Sequence, residues 1–313
     1  MDQRIIVSGS IAYDHIMLFD GSFKDYILPE ELDNLSVSFL TKDRDLYFGG
    51  CSTNIAYNLK LLNEDPDVYG VAGDDFARYA AWLEKNGIST EHIAIDDTKP
   101  TAAAYIITDG GQRQIAAFSP AAMESHDLCE KLEKFDLEKY YCAMITPDMP
   151  DRMVNLAQEC MEHSLPYMFD PGQAITALSP EYLELMINGS LGVIVNEYES
   201  DLLERRLRKS IEKIAYQAGF LIVTLGKNGA RVLNNNKSEE IPAVDISNVV
   251  DVTGCGDAFR AGFVHGLKTG KGLKDCCQMG NTAASFAIEH GGTQNHSYKY
   301  EEFTNRLEET YGA

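Results

Sequence analysis

The segment Asp251-Val252-Thr253-Gly254-Cys255-Gly256-Asp257-Ala258-Phe259 sets a carboxylate just past two glycines at what reads as the start of a helix. Ala258, Phe259, Ala261, Phe263, Val264 and Leu267 recur at helical spacing, so Gly254 to Gly256 form the turn that opens it. The amides at a helix start have no intrahelical partner, and with the positive end of the helix dipole they stabilise phosphate oxygens and developing negative charge. Glycine lets that backbone come close to a ligand. Asp257 falls in the first turn, within reach of a hydroxyl held before the anion site, where a carboxylate can accept a proton. The combination is chemistry for an anion in front of a base, although a glycine-rich loop with a helix-capping charge has the same residues.

Further polar clusters follow apolar runs. After residues 192–195 come Asn196 and Glu199, an amide and a carboxylate suited to orienting water on Mg²⁺; a helix cap with an acidic first turn fits them equally. After residues 220–224, Gly226 and Gly229 let backbone approach a phosphate and Lys227 supplies a cation, while an ordinary β-turn also fits the spacing. Ser8-Gly9-Ser10 closes the first apolar run, and Asp14 follows as a carboxylate able to accept hydrogen bonds from two vicinal hydroxyls. Gly49-Gly50 leads into Thr53-Asn54 and a helix; paired glycines suit a hinge, and the Asn54 amide both donates and accepts.

The elements that must position these residues alternate. Strand-like runs at 4–8, 67–71, 141–145, 167–169, 192–195, 220–224 and 230–234 are separated by amphipathic stretches such as 53–63, 76–86, 151–163, 200–218 and 256–268. This predicts an α/β fold, a mostly parallel sheet covered by helices, with ligands at the carboxyl ends of its strands. Two regions break the rhythm. Residues 13–48 and 101–118 alternate apolar and polar side chains around the turn Asp109-Gly110-Gly111, and predict antiparallel strands in a small lid within one domain spanning 1–313.

Composition narrows the function. Seven scattered cysteines without a C-x-x-C pair and seven histidines without a metal-ligand spacing indicate neither a disulfide framework nor a zinc site, so any metal should be oxygen-bound. A net charge of −21 argues against nucleic acid or an anionic membrane as partner, yet leaves room for a small phosphate ligand held by local N–H groups and Mg²⁺. No apolar run approaches the ~18 residues of a membrane span, and a soluble cytoplasmic protein is expected. Neither a P-loop nor a Rossmann glycine fingerprint occurs.

Taken in order and at these separations, Gly9 with Asp14, Gly49-Gly50 to Asn54, Asn196-x-x-Glu199, Thr224-x-Gly226-x-x-Gly229 and above all Asp251-x-Thr253-Gly254-x-Gly256-Asp257 resemble the ribokinase-like, PfkB-type family of carbohydrate and nucleoside kinases. The resemblance implies a three-layer α/β/α sandwich with a β-stranded lid. It implies Asp257 as general base, with the amides of Gly254, Cys255 and Gly256 around the transferring phosphoryl. Asn196 and Glu199 would arrange Mg²⁺, Thr224, Gly226 and Gly229 the ATP phosphates, and Asn281 the adenine. Asp14, Gly49, Gly50 and Asn54 would serve the acceptor. Monovalent cation (K⁺) activation is common in that family.

Cys255 stands where the motif usually has alanine, and a thiol at a helix start is expected to have a lowered pKa and to react readily with thiol reagents, ATP protecting it. Thr108-Asp109-x-x-x-x-Gln114-Ile115, Phe169-Asp170-Pro171-Gly172-Gln173 and Phe259-Arg260-Ala261-Gly262-Phe263 resemble the family's nucleoside kinases, adenosine kinases among them. That implies transfer of the ATP γ-phosphate to the 5′-hydroxyl of a purine ribonucleoside, adenosine first, in purine salvage. Phe118, Tyr105 and Gln114 are the candidate contacts to the base. The alternative is a kinase for ribose, fructose or a hexose phosphate, the last needing basic residues such as Lys24, Lys42, Arg44 or Arg113; a non-catalytic ligand sensor comes third. Lid edges open to another copy make a homodimer plausible.

Overall fold

β-branched and apolar runs produce the strands of the main sheet in the computed structural model, which describes residues 3–27, 36–111 and 113–312. In chain order these strands are β1 (Arg4–Ser8), β4 (Pro66–Gly73), β5 (Ile93–Asp96), β8 (Tyr140–Ile145), β9 (Tyr167–Phe169), β10 (Gly192–Asn196), β11 (Leu221–Thr224), β12 (Ala230–Asn234) and β13 (Lys237–Ile241). The smaller sheet holds β2 (Ala12–Phe19), β3 (Arg44–Gly49), β6 (Ala102–Asp109) and β7 (Gln114–Ser119). The α-helices are α1 (Cys51–Leu61), α2 (Ala77–Lys85), α3 (Pro150–Glu162), α4 (Pro180–Gly189), α5 (Glu197–Leu207), α6 (Ile211–Gln217), α7 (Cys255–Lys268), α8 (Leu273–Ala287) and α9 (Tyr300–Tyr311), with short 3₁₀ turns between some elements.

The main sheet runs β13-β12-β11-β10-β9-β8-β1-β4-β5, parallel except for the antiparallel β11-β12-β13 edge. Its inner strands are apolar on both faces, as a doubly covered sheet requires. Ile6, Ile145, Phe169, Val193 and Val223 pack toward α3 to α6, and their neighbours Ile5, Val7, Met144, Met168 and Ile222 toward α1, α7 and α8. The result is three layers, helices on either side of one sheet. The carboxyl ends of β1, β8, β9, β10 and β11 share one rim, which carries Ser10, Asp148, Asp170, Asn196 and Thr224.

Three expectations need correction. The span 200–218 is two helices, because Arg208 adopts a left-handed conformation (φ 53°) and Ser210 begins the second. Strands β5 and β13 were not anticipated; β13, Lys-Ser-Glu-Glu-Ile, lies at an exposed edge where apolar residues are not required. In the small sheet, order β3-β2-β6-β7, the hairpin β6-β7 and the pair β2-β3 are antiparallel as predicted, but β2 and β6 run parallel. Each enters that sheet from the main one, β2 after β1 and β6 after β5, so neither is joined to the other by a turn. Part of the predicted region 13–48, residues 28–35, lies outside the described residues. No helix among the described residues is long and apolar enough to cross a membrane.

Candidate active site

Gly254, at φ 78°, turns the chain into α7, and a Cβ there would stand 3.0 Å from the Thr293 side chain. Asp251 braces the turn: its carboxylate accepts from the Thr253 amide at 2.9 Å and from the Gly292 amide at 3.0 Å. The first intrahelical bond runs from the Ala258 amide to the Gly254 carbonyl at 2.9 Å, so the amides of Gly256 and Asp257 precede it and head the helix. The local fold thus delivers N–H groups and a carboxylate to one spot, as the spacing predicts.

The Asp257 carboxylate accepts from the Asn54 side-chain amide at 2.8 Å. Burial pushes its carboxyl up to about 7, against the pull of the Arg260 guanidinium and the Asn54 bond, with Asp170 and Asp14 adding to the rise. A carboxylate titrating near neutrality is matched to general-base work. One turn on, buried Arg260 forks onto Asp170 at the end of β9, with its Nη2 3.0 Å from Oδ1, and donates to the Gly256 carbonyl at 2.9 Å. It ties the helix start to the sheet.

Asp14 lies beside this centre. A Cβ at Gly49 would fall 2.2 Å from an Asp14 carboxylate oxygen, so only glycine leaves that carboxylate its place. Burial and the charge of Asp251 push Asp14 up to about 6. Gly50, at φ 98°, caps α1, where a Cβ would meet the Ser10 carbonyl at 2.4 Å. Strand register puts Asp14, Tyr47, Ala104 and Phe118 on one face of the small sheet and His15, Leu46, Tyr105 and Ala117 on the other. Phe118 lines the cavity over Asp257. Tyr105, by contrast, stacks on His15 at 4.8 Å on the opposite face, and Gln114 is exposed beside Thr108, so neither stands in that cavity.

Three adjoining hollows run along the rim. The first, about 700 Å³, is lined by Phe118, Met123, Pro147, Gln173, Asp170 and Asp257 among others. The second, about 460 Å³, shares Asn196, Gly256 and Arg260 with it and adds Thr224 and Gly226. The third, about 900 Å³, continues from Gly226 past Lys227 to Val249, Cys255, Asn281 and Ile288. Gly256 and Arg260 therefore stand where the first two meet. Asn281 is buried on the third and donates to the Pro242 carbonyl at 3.0 Å. Gly229 lies off the trough: at φ 95°, with a Cβ that would strike the Ile241 carbonyl at 2.1 Å, it shapes the loop rather than lining it.

Asn196 and Glu199 form a reciprocal cap on α5, each side chain accepting from the other's amide at 2.8 Å, while both also line the first hollow. The cap and the cleft wall are the same residues. Among the described residues no group of three or more His, Cys, Asp or Glu side chains is arranged to hold a metal ion. The donor set is oxygen only, and the cap bond takes one Glu199 oxygen. That fits a Mg²⁺ carried chiefly by phosphates and waters, with Glu199 and Asn196 reaching it through water.

The thiol of Cys255 departs from expectation. Burial, then the charges of Asp251 and Asp257, push it up to about 12 against the smaller pull of a backbone hydrogen bond. Residues that sequence reasoning assigned no role also meet here. Asp170 and Arg260 lay in segments singled out for resemblance alone. Gln294, Tyr79 and Trp82, which bond to Asn54 and its surroundings, carried no spacing signal because α1, α2 and the segment after α8 meet only in three dimensions.

An α/β sheet whose rim holds a buried carboxylate at a glycine-turned helix start, with an extended trough beyond, is an architecture suited to phosphoryl transfer. The chain belongs to the pfkB family of carbohydrate kinases, whose model matches residues 9–299. Over 308 residues it is 27% identical to the nucleoside kinase of Methanocaldococcus jannaschii, covering 98% of this chain and 97% of that one. It is similar to the Burkholderia thailandensis nucleoside kinase in complex with inosine, with a TM-score of 0.89 and 33% identity over 99% of this chain and 98% of that one. The ribokinase of Bacillus subtilis is 27% identical over 254 residues, 79% of this chain and 83% of its own. The fold is that of the ribokinase-like enzymes.

Proposed function

We propose that the chain is a cytoplasmic kinase of purine salvage, transferring the γ-phosphate of Mg²⁺-ATP to the 5′-hydroxyl of a purine ribonucleoside, adenosine or a broader purine set. The observation that carries this is the position of Asp257 at the head of α7, on the wall of a cavity of about 700 Å³ that is roomier than a pentose needs and walled by Phe118, Met123 and Pro147. The base lies against those apolar groups, and the ribose hydroxyls reach Asp14 and Asn54. Asp257 takes the 5′-hydroxyl proton as the oxygen attacks the γ-phosphorus and the bond to the ADP oxygen breaks. The amides of Gly254 and Gly256, with that of Cys255 once it leaves the Val252 carbonyl it meets at 3.3 Å, receive the charge on the transferring group, which is positioning and charge stabilisation rather than covalent work.

Asn196 and Glu199 would hold the waters of a bound Mg²⁺, which would supply charge neutralisation at the phosphate oxygens. The donor phosphates run past Thr224 and Gly226 on the loop that Gly229 shapes, and the adenine lies near Asn281. The small sheet acts as a lid hinged at Gly49-Gly50, and its outer face joins a second copy in a homodimer. The Burkholderia relative has also been solved in an ADP-inosine complex, which supports both nucleoside and adenine-nucleotide compartments in this architecture. A hexose-phosphate acceptor is disfavoured by three of the four lid cations: Arg113 pairs with Asp109 at 2.7 Å, Lys42 with Asp20 at 2.7 Å, and Arg44 shares the face of His15.

The test is coupled ADP release from Mg²⁺-ATP with adenosine, inosine, guanosine, cytidine, ribose, fructose and fructose 6-phosphate in parallel, in KCl and in NaCl. Turnover of purine nucleosides is expected; turnover of a sugar alone would reassign the substrate to that of a ribokinase or fructokinase, and none with any acceptor would favour a ligand sensor.

A further inference from the structure

The Asn54 amide has two ends, and which one meets Asp257 decides whether the base faces a donor or an acceptor. Its Nδ2 donates to Asp257 at 2.8 Å, and its Oδ1 accepts from Gln294 Nε2 at 2.9 Å. Gln294 is held in turn: its Nε2 also donates to the Tyr79 hydroxyl at 2.7 Å, and its Oε1 accepts from the Trp82 indole N–H at 3.0 Å. An indole nitrogen can only donate. It therefore fixes the sense of every amide beyond it: indole to Gln294 oxygen, Gln294 nitrogen to Asn54 oxygen, Asn54 nitrogen to carboxylate. Gln294 is 2% exposed and Asn54 4%, so neither end can be satisfied by bulk water instead. The relay is also fastened to the foot of the small sheet, where the Tyr79 hydroxyl lies 2.8 Å from the Gly49 carbonyl and Thr293 donates to the Phe48 carbonyl at 2.7 Å.

We propose that Gln294 is a positioning residue for phosphoryl transfer, polarised by Trp82 so that Asn54 is held as a hydrogen-bond donor to Asp257. One carboxylate oxygen is then committed as an acceptor, and the other is left for the acceptor hydroxyl. This rests on Asp257 being the base. The charged and titratable groups around Asp257 are Arg260 and the Cys255 thiol on α7, Asp170 at the end of β9, Asp14 on β2 and the Cys51 thiol on α1. Gln294→Met or Trp82→Phe changes none of them, whereas Gln294→Glu adds a carboxylate of its own, so the neutral variants isolate the relay from added charge.

Gln294→Glu and Gln294→Met separate this role from packing. The glutamate keeps the size of the side chain and still accepts from Trp82, but it has no hydrogen for Asn54, so the Asn54 amide turns its NH₂ toward the new carboxylate and its oxygen toward Asp257. The expected result is a kcat lower by roughly 10-fold or more, with the acid limb of the pH profile moved up by about 0.5–1 unit. Gln294→Met, which leaves Asn54 free to adopt either sense, gives a smaller shift in the same direction. Trp82→Phe tests the head of the relay without touching Gln294, and its acid limb also moves up. Melting temperature establishes that each variant is folded.

A Gln294→Glu enzyme with the wild-type limb and kcat would overturn the inference, as would a Trp82→Phe enzyme with the wild-type limb should the Gln294 variants not fold. Asp257→Asn keeps the two ideas apart. If it stays active, the base assignment fails; if it is inactive while the Gln294 variants behave as wild type, only the relay fails.

Discussion

Asp257 is the proposed base, and its burial has consequences for both rate and stability. Asp257→Asn removes the proposed proton acceptor and is expected to lower kcat by about 10²–10⁴-fold, with nucleoside binding by calorimetry largely kept. In the wild type, activity should fall on the acid side with a midpoint near the value of about 7 to which burial pushes this carboxyl. The stability effect has the opposite sense. A carboxyl whose folded-state pKa exceeds its unfolded value binds more protons when folded, so the folded state loses stability as pH rises from about 4 to about 7. The asparagine variant escapes that loss, and its melting temperature should exceed the wild type's at pH 8 while the gap closes at pH 4. Equal melting curves at pH 8 would mean that Asp257 is solvated. For Cys255 the outlook reverses the expectation drawn from sequence: with its thiol pushed up to about 12, modification by iodoacetamide at pH 7.5 should be no faster than that of an ordinary thiol, read by peptide mass spectrometry.

The elements matter through the α1–α7 pair, which is fastened at both ends. Near the site, Asn54 of α1 meets Asp257 of α7; beyond the other end of α1, Glu64 is met by His265 Nδ1 at 2.5 Å and by Lys268, both from the last turns of α7. Burial pushes the Glu64 carboxyl up, but the bonds from His265 and Lys268 outweigh it and hold Glu64 below its ordinary value. Stability from this clamp is present above the unfolded carboxyl's pKa and is lost as pH falls through the lower, folded value. Glu64→Gln, which removes the charged acceptor of His265 and one of the partners of Lys268, should cost roughly 1–3 kcal/mol in urea unfolding at pH 7 and clearly less at acid pH. Well below the melting point, kcat should be preserved; a matching loss of kcat would mean that the clamp also sets the site. None of this partnership was legible in the sequence. The helices were, because Ala258, Phe259 and Phe263 repeat with the turn of a helix, and so were Gly254 and Asp257, because a left-handed turn and a first-turn carboxylate are local matters. Glu64 with His265, and Asn54 with Gln294, are 201 and 240 residues apart. Pairings at that range are made by the sheet order, and the parallel joining of β2 to β6 eluded the sequence for the same reason.

At the scale of the molecule, a formal charge of −21 and an apolar outer face on the small sheet pull in opposite directions. On that face cross-strand rows place Leu46, His15, Tyr105 and Ala117 side by side, with Arg44 at the edge of the next row beside Met17, Ile107 and Ile115. Leu46, Tyr105 and Ile115 are 37%, 46% and 40% exposed, and every residue of the edge strand β7 is exposed. A surface of this kind is stable in water when another copy covers it. Two copies each carrying that charge repel over a Debye length of about 8–10 Å at moderate salt, so association should tighten as salt rises from about 10 mM, where the repulsion reaches about 30 Å. Light scattering across that range should therefore find a dimer that loosens in low salt, the reverse of a contact made by ion pairs. Tyr105→Glu should give a monomer that still turns over substrate, because Tyr105 lies on the face away from Asp14 and Phe118. A wild-type monomer at every salt concentration would remove the dimer, and a Tyr105→Glu monomer without activity would mean that the second copy completes the site.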